Sequence, residues 1–158
     1  MSERAVTHAT FVIERTYEAP PPRVFKAWSE PTAKARWFAG SEEALGTAYQ
    51  LDFRVGGREV NRGGPPGGPV YTFEARFNEI VPDERIVFSY DMDCDGTCIS
   101  ASVTTVELRS EDTGTRLIYT EQGAFLDGHD TPTQRQEGTA GLLDSLGRDL
   151  QGSTAPIR

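Results

Sequence analysis

The chain has 158 residues, 37% hydrophobic and 25% charged, with a formal net charge of −8 at pH 7 and an isoelectric point near 4.8. That length suits one domain around one core, and the apolar content is enough to fold and too small for a membrane protein. The acidic balance sets nucleic acid and anionic membrane surfaces aside as partners, because affinity for phosphates comes largely from Lys and Arg displacing counterions.

Residues 10–17 alternate, with Phe11, Ile13 and Tyr17 on one face and Glu14 and Thr16 on the other, the period of a half-buried strand. Arg15 is the one polar side chain on the apolar face. Pro20, Pro21 and Pro22 stop the strand, and a proline suits the first turn of a helix because its missing N–H would be unpaired there anyway. A short helix through Val24, Phe25 and Trp28 follows, broken at Glu30-Pro31, and a second runs on to Trp37 and Phe38. Tyr49, Leu51, Phe53 and Val55 then alternate with Gln50, Asp52 and Arg54 as a strand, which Gly56 and Gly57 end in a turn. The run GGPPGGP at 63–69 can form neither ladder nor helix and reads as an exposed hairpin connection.

A long strand is expected over 70–81, with Tyr71, Phe73, Ala75 and Phe77 on one face. Residues 85–90 return with Ile86, Phe88 and Tyr90 together, and 99–109 and 115–122 form another pair. This makes about six antiparallel strands, the middle ones joined by short turns. The end of the chain changes period. Thr131 and Gln134 match a capping box, Pro132 takes the first helical position, and Leu142, Leu143, Leu146 and Leu150 recur at helical spacing. Gly138, Gly141 and Gly147 each cost about 1 kcal/mol against alanine in a helix, so packing must hold this helix rather than propensity.

The stretch DMDCDGTC at 91–98 has three aspartates at alternate positions before a glycine, like the front half of a calcium loop. It joins strands rather than helices, however, and the twelfth position counted from Asp91 is Ser102 instead of the bidentate Glu such a loop needs. A polar hairpin tip is the expectation for Asp91, Asp93 and Asp95, and no metal cofactor is assigned. Cys94 and Cys98 are close enough in sequence to bridge across a hairpin, a point that sequence leaves open. Their aspartate neighbours would raise a thiol pKa, which argues against a nucleophile. His8 and His129 belong to no zinc or nucleophile motif and read as surface residues. The first ten residues carry no apolar signal core, and no run approaches the ~20 apolar residues of a membrane span, so a cytoplasmic protein is expected.

Four stretches in order carry a resemblance: EAPPPRVFKAWSEPTAKARWF (18–38), DFRVGG (52–57), VPDERIVFSY (81–90) and GTRLIYTEQG (114–123). Together with the element order, they resemble the START/Bet v 1-like (SRPBCC) superfamily, in the branch of homologues of the activator of the 90-kDa heat-shock-protein ATPase. The resemblance implies an α+β helix-grip fold, a curved antiparallel sheet wrapped around a long C-terminal helix, as a single domain over 1–158 with its core at about 10–150. The branch commonly has Gly-Trp opening that helix, where this chain has Gly138-Thr139.

In such a fold one helix is too narrow to fill a strongly curved sheet, leaving room for a ligand of roughly several hundred Å3. The expected lining is Trp37, Phe53, Val55, Tyr71, Phe73, Phe88, Tyr90, Tyr119 and Glu121, with Leu142, Leu143 and Leu146 from the helix. Periodicity alone does not separate such a lining from solid core. The tyrosine hydroxyls need partners once buried, and a carboxylate such as Glu121 is more often paired with an arginine, Arg15 or Arg54 for example, than used as a base. The favoured function is binding of a small hydrophobic or aromatic molecule. A cyclase- or hydrolase-like enzyme using the cavity Tyr and Glu residues, and a cochaperone-like interaction module, are the alternatives. No nucleophile–base pair supports the enzyme. A homodimer is expected only from the common symmetry of small proteins.

Overall fold

The computed structural model describes residues 4–154. Seven strands form among them: β1 (Val6–Tyr17), β2 (Tyr49–Leu51), β3 (Arg58–Gly63), β4 (Tyr71–Val81), β5 (Arg85–Cys94), β6 (Thr97–Glu111) and β7 (Gly114–Leu126). The α-helices are α1 (Pro21–Ser29), α2 (Pro31–Phe38) and α3 (Pro132–Thr154). All strands join one antiparallel sheet in the order β1-β7-β6-β5-β4-β3-β2. The inner face of the sheet shares one hydrophobic core with the helices, so the architecture is the expected α+β helix grip. No helix among the described residues is long and apolar enough to cross a membrane.

The early strands depart from the expected pattern. Only Tyr49–Leu51 pairs as a strand, after which the chain leaves the ladder and turns over residues 54–57. Phe53 still packs inward against Phe25 and Phe77, but Val55 lies in the turn and is 58% exposed. The additional strand is β3, Arg58–Gly63, whose inward positions carry Glu59 rather than an apolar side chain. Its alternation is therefore invisible to a hydrophobic pattern.

The DMDCDGTC stretch is a tight hairpin. Cys94 pairs with Thr97 across a two-residue turn at Asp95 and Gly96, both with positive φ (50° and 86°), which Asp and Gly adopt readily. The Asp95 carboxylate accepts the Val70 N–H at 2.9 Å, while Asp91 and Asp93 lie along β5. Cys98 pairs opposite Asp93, so it falls on the other face of the ladder from Cys94, and both thiols are free.

Half of the expected capping box opens α3: the Thr131 hydroxyl accepts the Gln134 N–H at 3.1 Å, while the Thr131 N–H donates to the Asp130 carboxylate at 2.8 Å instead of to Gln134. Arg135, Thr139, Leu143, Leu146 and Leu150 form its buried stripe. Polar ties outside its first turn help to hold α3 to the rest. Tyr17 donates to the Leu143 carbonyl at 2.8 Å, Arg15 pairs with Asp144 at 2.7 Å, and Arg36 of α2 pairs with Asp149 at 2.8 Å.

Candidate functional site

Strand register brings the polar interior together. One inward row runs Glu59, Ala75, Tyr90, Ser102, Gly123, Ala9, and the next runs Phe77, Phe88, Thr104, Glu121, Phe11. Glu121 is 0% exposed at the centre of this wall. Its Oε2 accepts hydrogen bonds from the Tyr90 and Ser102 hydroxyls, each at 2.8 Å, and lies 3.4 Å from Arg135 Nη1. Among the described residues, its Oε1 accepts only from Tyr119, at 3.4 Å.

Arg135 reaches this carboxylate from the first turn of α3. It donates to the Tyr90 hydroxyl at 2.7 Å and to Ser100 Oγ at 2.8 Å, and pairs with Asp130 at 2.9 Å in the loop before the helix. Its guanidinium also lies over the rings of Phe125 (5.1 Å) and Tyr90 (5.6 Å), a placement that favours a desolvated cation. Burial works against its charge, but Tyr90, Glu121 and Asp130 more than compensate and hold its pKa above the ordinary value. Burial, with Glu121 alongside, pushes the Tyr90 and Tyr119 hydroxyls far up, so both remain protonated donors at neutral pH.

Close approach of the strands makes one of these bonds possible. A Cβ on Gly123 would lie 2.6 Å from Ser102 Oγ, so only glycine at that position leaves the Ser102 hydroxyl where it meets Glu121.

Of the residues expected to line a site, Phe73, Phe88, Tyr90, Tyr119, Glu121, Leu143 and Leu146 are buried and belong to the same interior. Phe73 packs on Tyr90 with ring centroids 4.6 Å apart. Phe53 and Leu142 are half-buried at the margin. Trp37 is buried against Trp28 and donates its indole N–H to the Ala27 carbonyl at 2.9 Å, a packing role. Val55 and Tyr71 stand outside this group, both exposed. The arginines expected beside Glu121 are engaged elsewhere, Arg15 with Asp144 and Arg54 with Asp52. Arg135 takes that place, and sequence reading missed it. The available signal was helical phase, because Arg135 precedes Thr139 and Leu143 by one and two turns on the stripe that buries.

A second buried ion pair lies across the aromatic interior. Lys34 Nζ is 2.7 Å from Glu59 Oε2, which also accepts the Tyr49 hydroxyl at 2.5 Å, with Lys34 2% and Glu59 0% exposed. The ammonium is caged by the rings of Phe38 (4.4 Å), Trp28 (4.9 Å) and Trp37 (5.4 Å). Burial lowers the Lys34 pKa, opposed by Glu59. Phe38 and Phe73, 5.1 Å apart, separate this pair from the Glu121 cluster. Open space lies on the other side of the sheet, where a groove of about 910 Å3 runs past His8, Thr10, Ser89, Val103 and Arg76.

A single antiparallel sheet that grips its long terminal helix is the START/Bet v 1-like, helix-grip fold. Within that class the chain belongs to the family described as activator of Hsp90 ATPase homolog 1-like protein, whose profile matches residues 18–151. A solved structure of a protein from Rhizobium leguminosarum is 44% identical, covering 95% of this chain and 99% of that one, with a TM-score of 0.89. Another from Rhizobium loti is 50% identical over 92% of this chain and 99% of its own, with a TM-score of 0.85. An AHSA1-like protein from Aeromonas hydrophila is 26% identical over 95% and 99%, with a TM-score of 0.68. No curated protein matches.

Proposed function

We propose that the protein binds a small, largely apolar or aromatic molecule between the sheet and α3, with a polar group of that molecule directed at the Glu121 cluster. The observation that carries this reading is the cluster itself. A fully buried carboxylate, two tyrosine hydroxyls and an arginine sit in an interior otherwise built of aromatic and aliphatic side chains. Burying charge costs several kcal/mol even when it is paired, so a core needed for folding alone is built more cheaply from apolar residues. Family and fold support the same reading. The half-buried Phe38, beside Trp37, is where the molecule would be admitted.

Native mass spectrometry of freshly purified protein, followed by thermal shift against fatty acids, flavonoids and polyketide-like aromatics, tests the proposal. Co-purified mass or a stabilising compound that Phe73→Trp abolishes is the expected result. A protein that leaves the column without ligand and is stabilised by none of these compounds speaks against it.

A further inference from the structure

The sheet ends on one side in β2, three residues long, and on the other in β1, twelve residues long. An open strand edge presents a row of unpaired N–H and C=O groups, which natural proteins blunt with proline, lysine, a bulge or a covering element. β1 has no proline and no lysine, and it runs in unbroken register with β7 from Val6 to Tyr17. Among the described residues, no strand pairs with its other edge. The phase of that edge is fixed. The Ala5 carbonyl accepts the N–H of Asp127, its opposite number in the β7 register, at 2.7 Å. Bonding sides alternate along a strand, so odd-numbered residues bond β7 and even-numbered ones point away. The Glu14 carbonyl agrees, being reached by the Arg15 guanidinium at 2.9 Å. His8, Thr10 and Val12 therefore turn their backbone groups outward, and the side chains of Val6 and Val12 are 53% and 49% exposed. Beside residues 12–15 a groove of about 380 Å3 opens between β1 and Thr133, Gln136, Glu137 and Ala140 of α3.

We infer that this edge is a homodimer interface: β1 of a second copy lies antiparallel against β1 about a two-fold axis at Phe11, joining the two sheets into one. The strand's own sequence selects this occupant and this register. With the axis at Phe11, Thr10 stands opposite Val12 of the second copy and His8 opposite its Glu14, so the outward backbone groups from His8 to Glu14 all find partners. On the outer face this makes a β-branched pair and an imidazole–carboxylate pair, and no like charges meet. On the inner face Ile13 and Arg15 stand opposite Ala9 and Thr7, the two smallest side chains of that row, where α3 leaves only the 380 Å3 groove. Moving the axis to Glu14 sets two carboxylates against each other, and moving it to Val12 leaves Glu14 opposite Thr10 and Arg15 opposite Ala9. A two-fold contact of this kind closes at two copies, so it satisfies the edge without opening a route to fibres.

Sedimentation velocity of the full chain from about 1 to 100 μM, the affinity range of a modest interface, tests the inference. The expected result is a species of twice the 17.4-kDa chain mass. Val12→Pro removes an N–H that points away from β7, and an edge strand tolerates proline there. That variant is expected to keep its thermal melt and to lose the dimer across the whole range. Register is read by disulfide trapping, with Cys94→Ser and Cys98→Ser as background. His8→Cys chains mixed with Glu14→Cys chains under mild oxidation are expected to link, because directly opposed Cα atoms lie about 5.5 Å apart. Neither chain should link to itself, since its own two cysteines would be about 20 Å apart along the strands. A chain that stays monomeric at every concentration overturns the inference. So does a dimer that persists in folded Val12→Pro, or one whose mixed cysteine chains fail to link. If Val12→Pro does not fold, the trapping decides.

Discussion

Gly123 shows how one atom shapes the interior. Its missing Cβ leaves Ser102 Oγ free to donate to Glu121, so Gly123→Ala forces that hydroxyl away and strips one donor from a buried carboxylate. A loss of about 1–2 kcal/mol is expected, read as a lowered denaturation midpoint in urea, with no further loss when Ser102→Ala is added. Lys34 shows the other kind of dependence. Its ammonium and the Glu59 carboxylate are both buried, so Lys34→Met leaves an uncompensated charge and should cost about 3–5 kcal/mol. Replacing both partners, as Lys34→Met with Glu59→Leu, is expected to recover most of that loss. A double-mutant cycle measures the coupling, and additive losses would show that the pair does not act as one unit. Neither residue is marked by hydrophobic pattern, because each is a charged side chain placed where the pattern expects an apolar one.

Helix α3 illustrates what an element's sequence does and does not reveal. Its cap, its proline and its leucine spacing were all legible, since each acts locally. The costs of its glycines were legible as well, but not where they are needed. A Cβ at Gly138 or Gly141 meets nothing within 4 Å, whereas at Gly147 it would lie 3.2 Å from the Tyr17 ring. Gly138→Ala and Gly141→Ala are therefore expected to stabilise the protein by about 0.5–1 kcal/mol each. Gly147→Ala is expected to destabilise it, because the hydrogen bond from Tyr17 to the Leu143 carbonyl keeps the ring from retreating. Thermal melts of the three variants check the contrast, and a gain at Gly147 would mean that the ring moves freely. Strand β3 is the reverse case: its inward residue is Glu59, so only pairing with β2 and β4 identifies it.

For the molecule as a whole, four of the five tyrosines are buried, and burial raises the pKa of Tyr17, Tyr49, Tyr90 and Tyr119. Above about pH 10, where an unfolded tyrosine gives up its proton, the folded chain holds more protons than the unfolded one. Their contribution to stability is thus complete below that pH and is lost as pH rises further. Lys34 has the opposite sign. Its lowered pKa means that the unfolded chain binds the extra proton just below the usual lysine value, so rising pH there favours the fold. With four groups against one, the melting temperature should fall steeply from about pH 10 upward. Phenolate absorbance near 295 nm should then report those four residues only as the chain unfolds, and their free titration in folded protein would contradict the burial. By itself the sequence determined the order of the elements apart from β3, the helix breaks and the inward faces of the first and the two central strands, because these depend on near neighbours and on a period of two or 3.6 residues. Only the tertiary structure decided that Glu121 meets Arg135, that Lys34 meets Glu59 and that Val55 points to solvent. Those outcomes depend on cross-strand register and on the placing of α2 and α3 against the sheet, which join residues far apart in the chain and leave no local period to read.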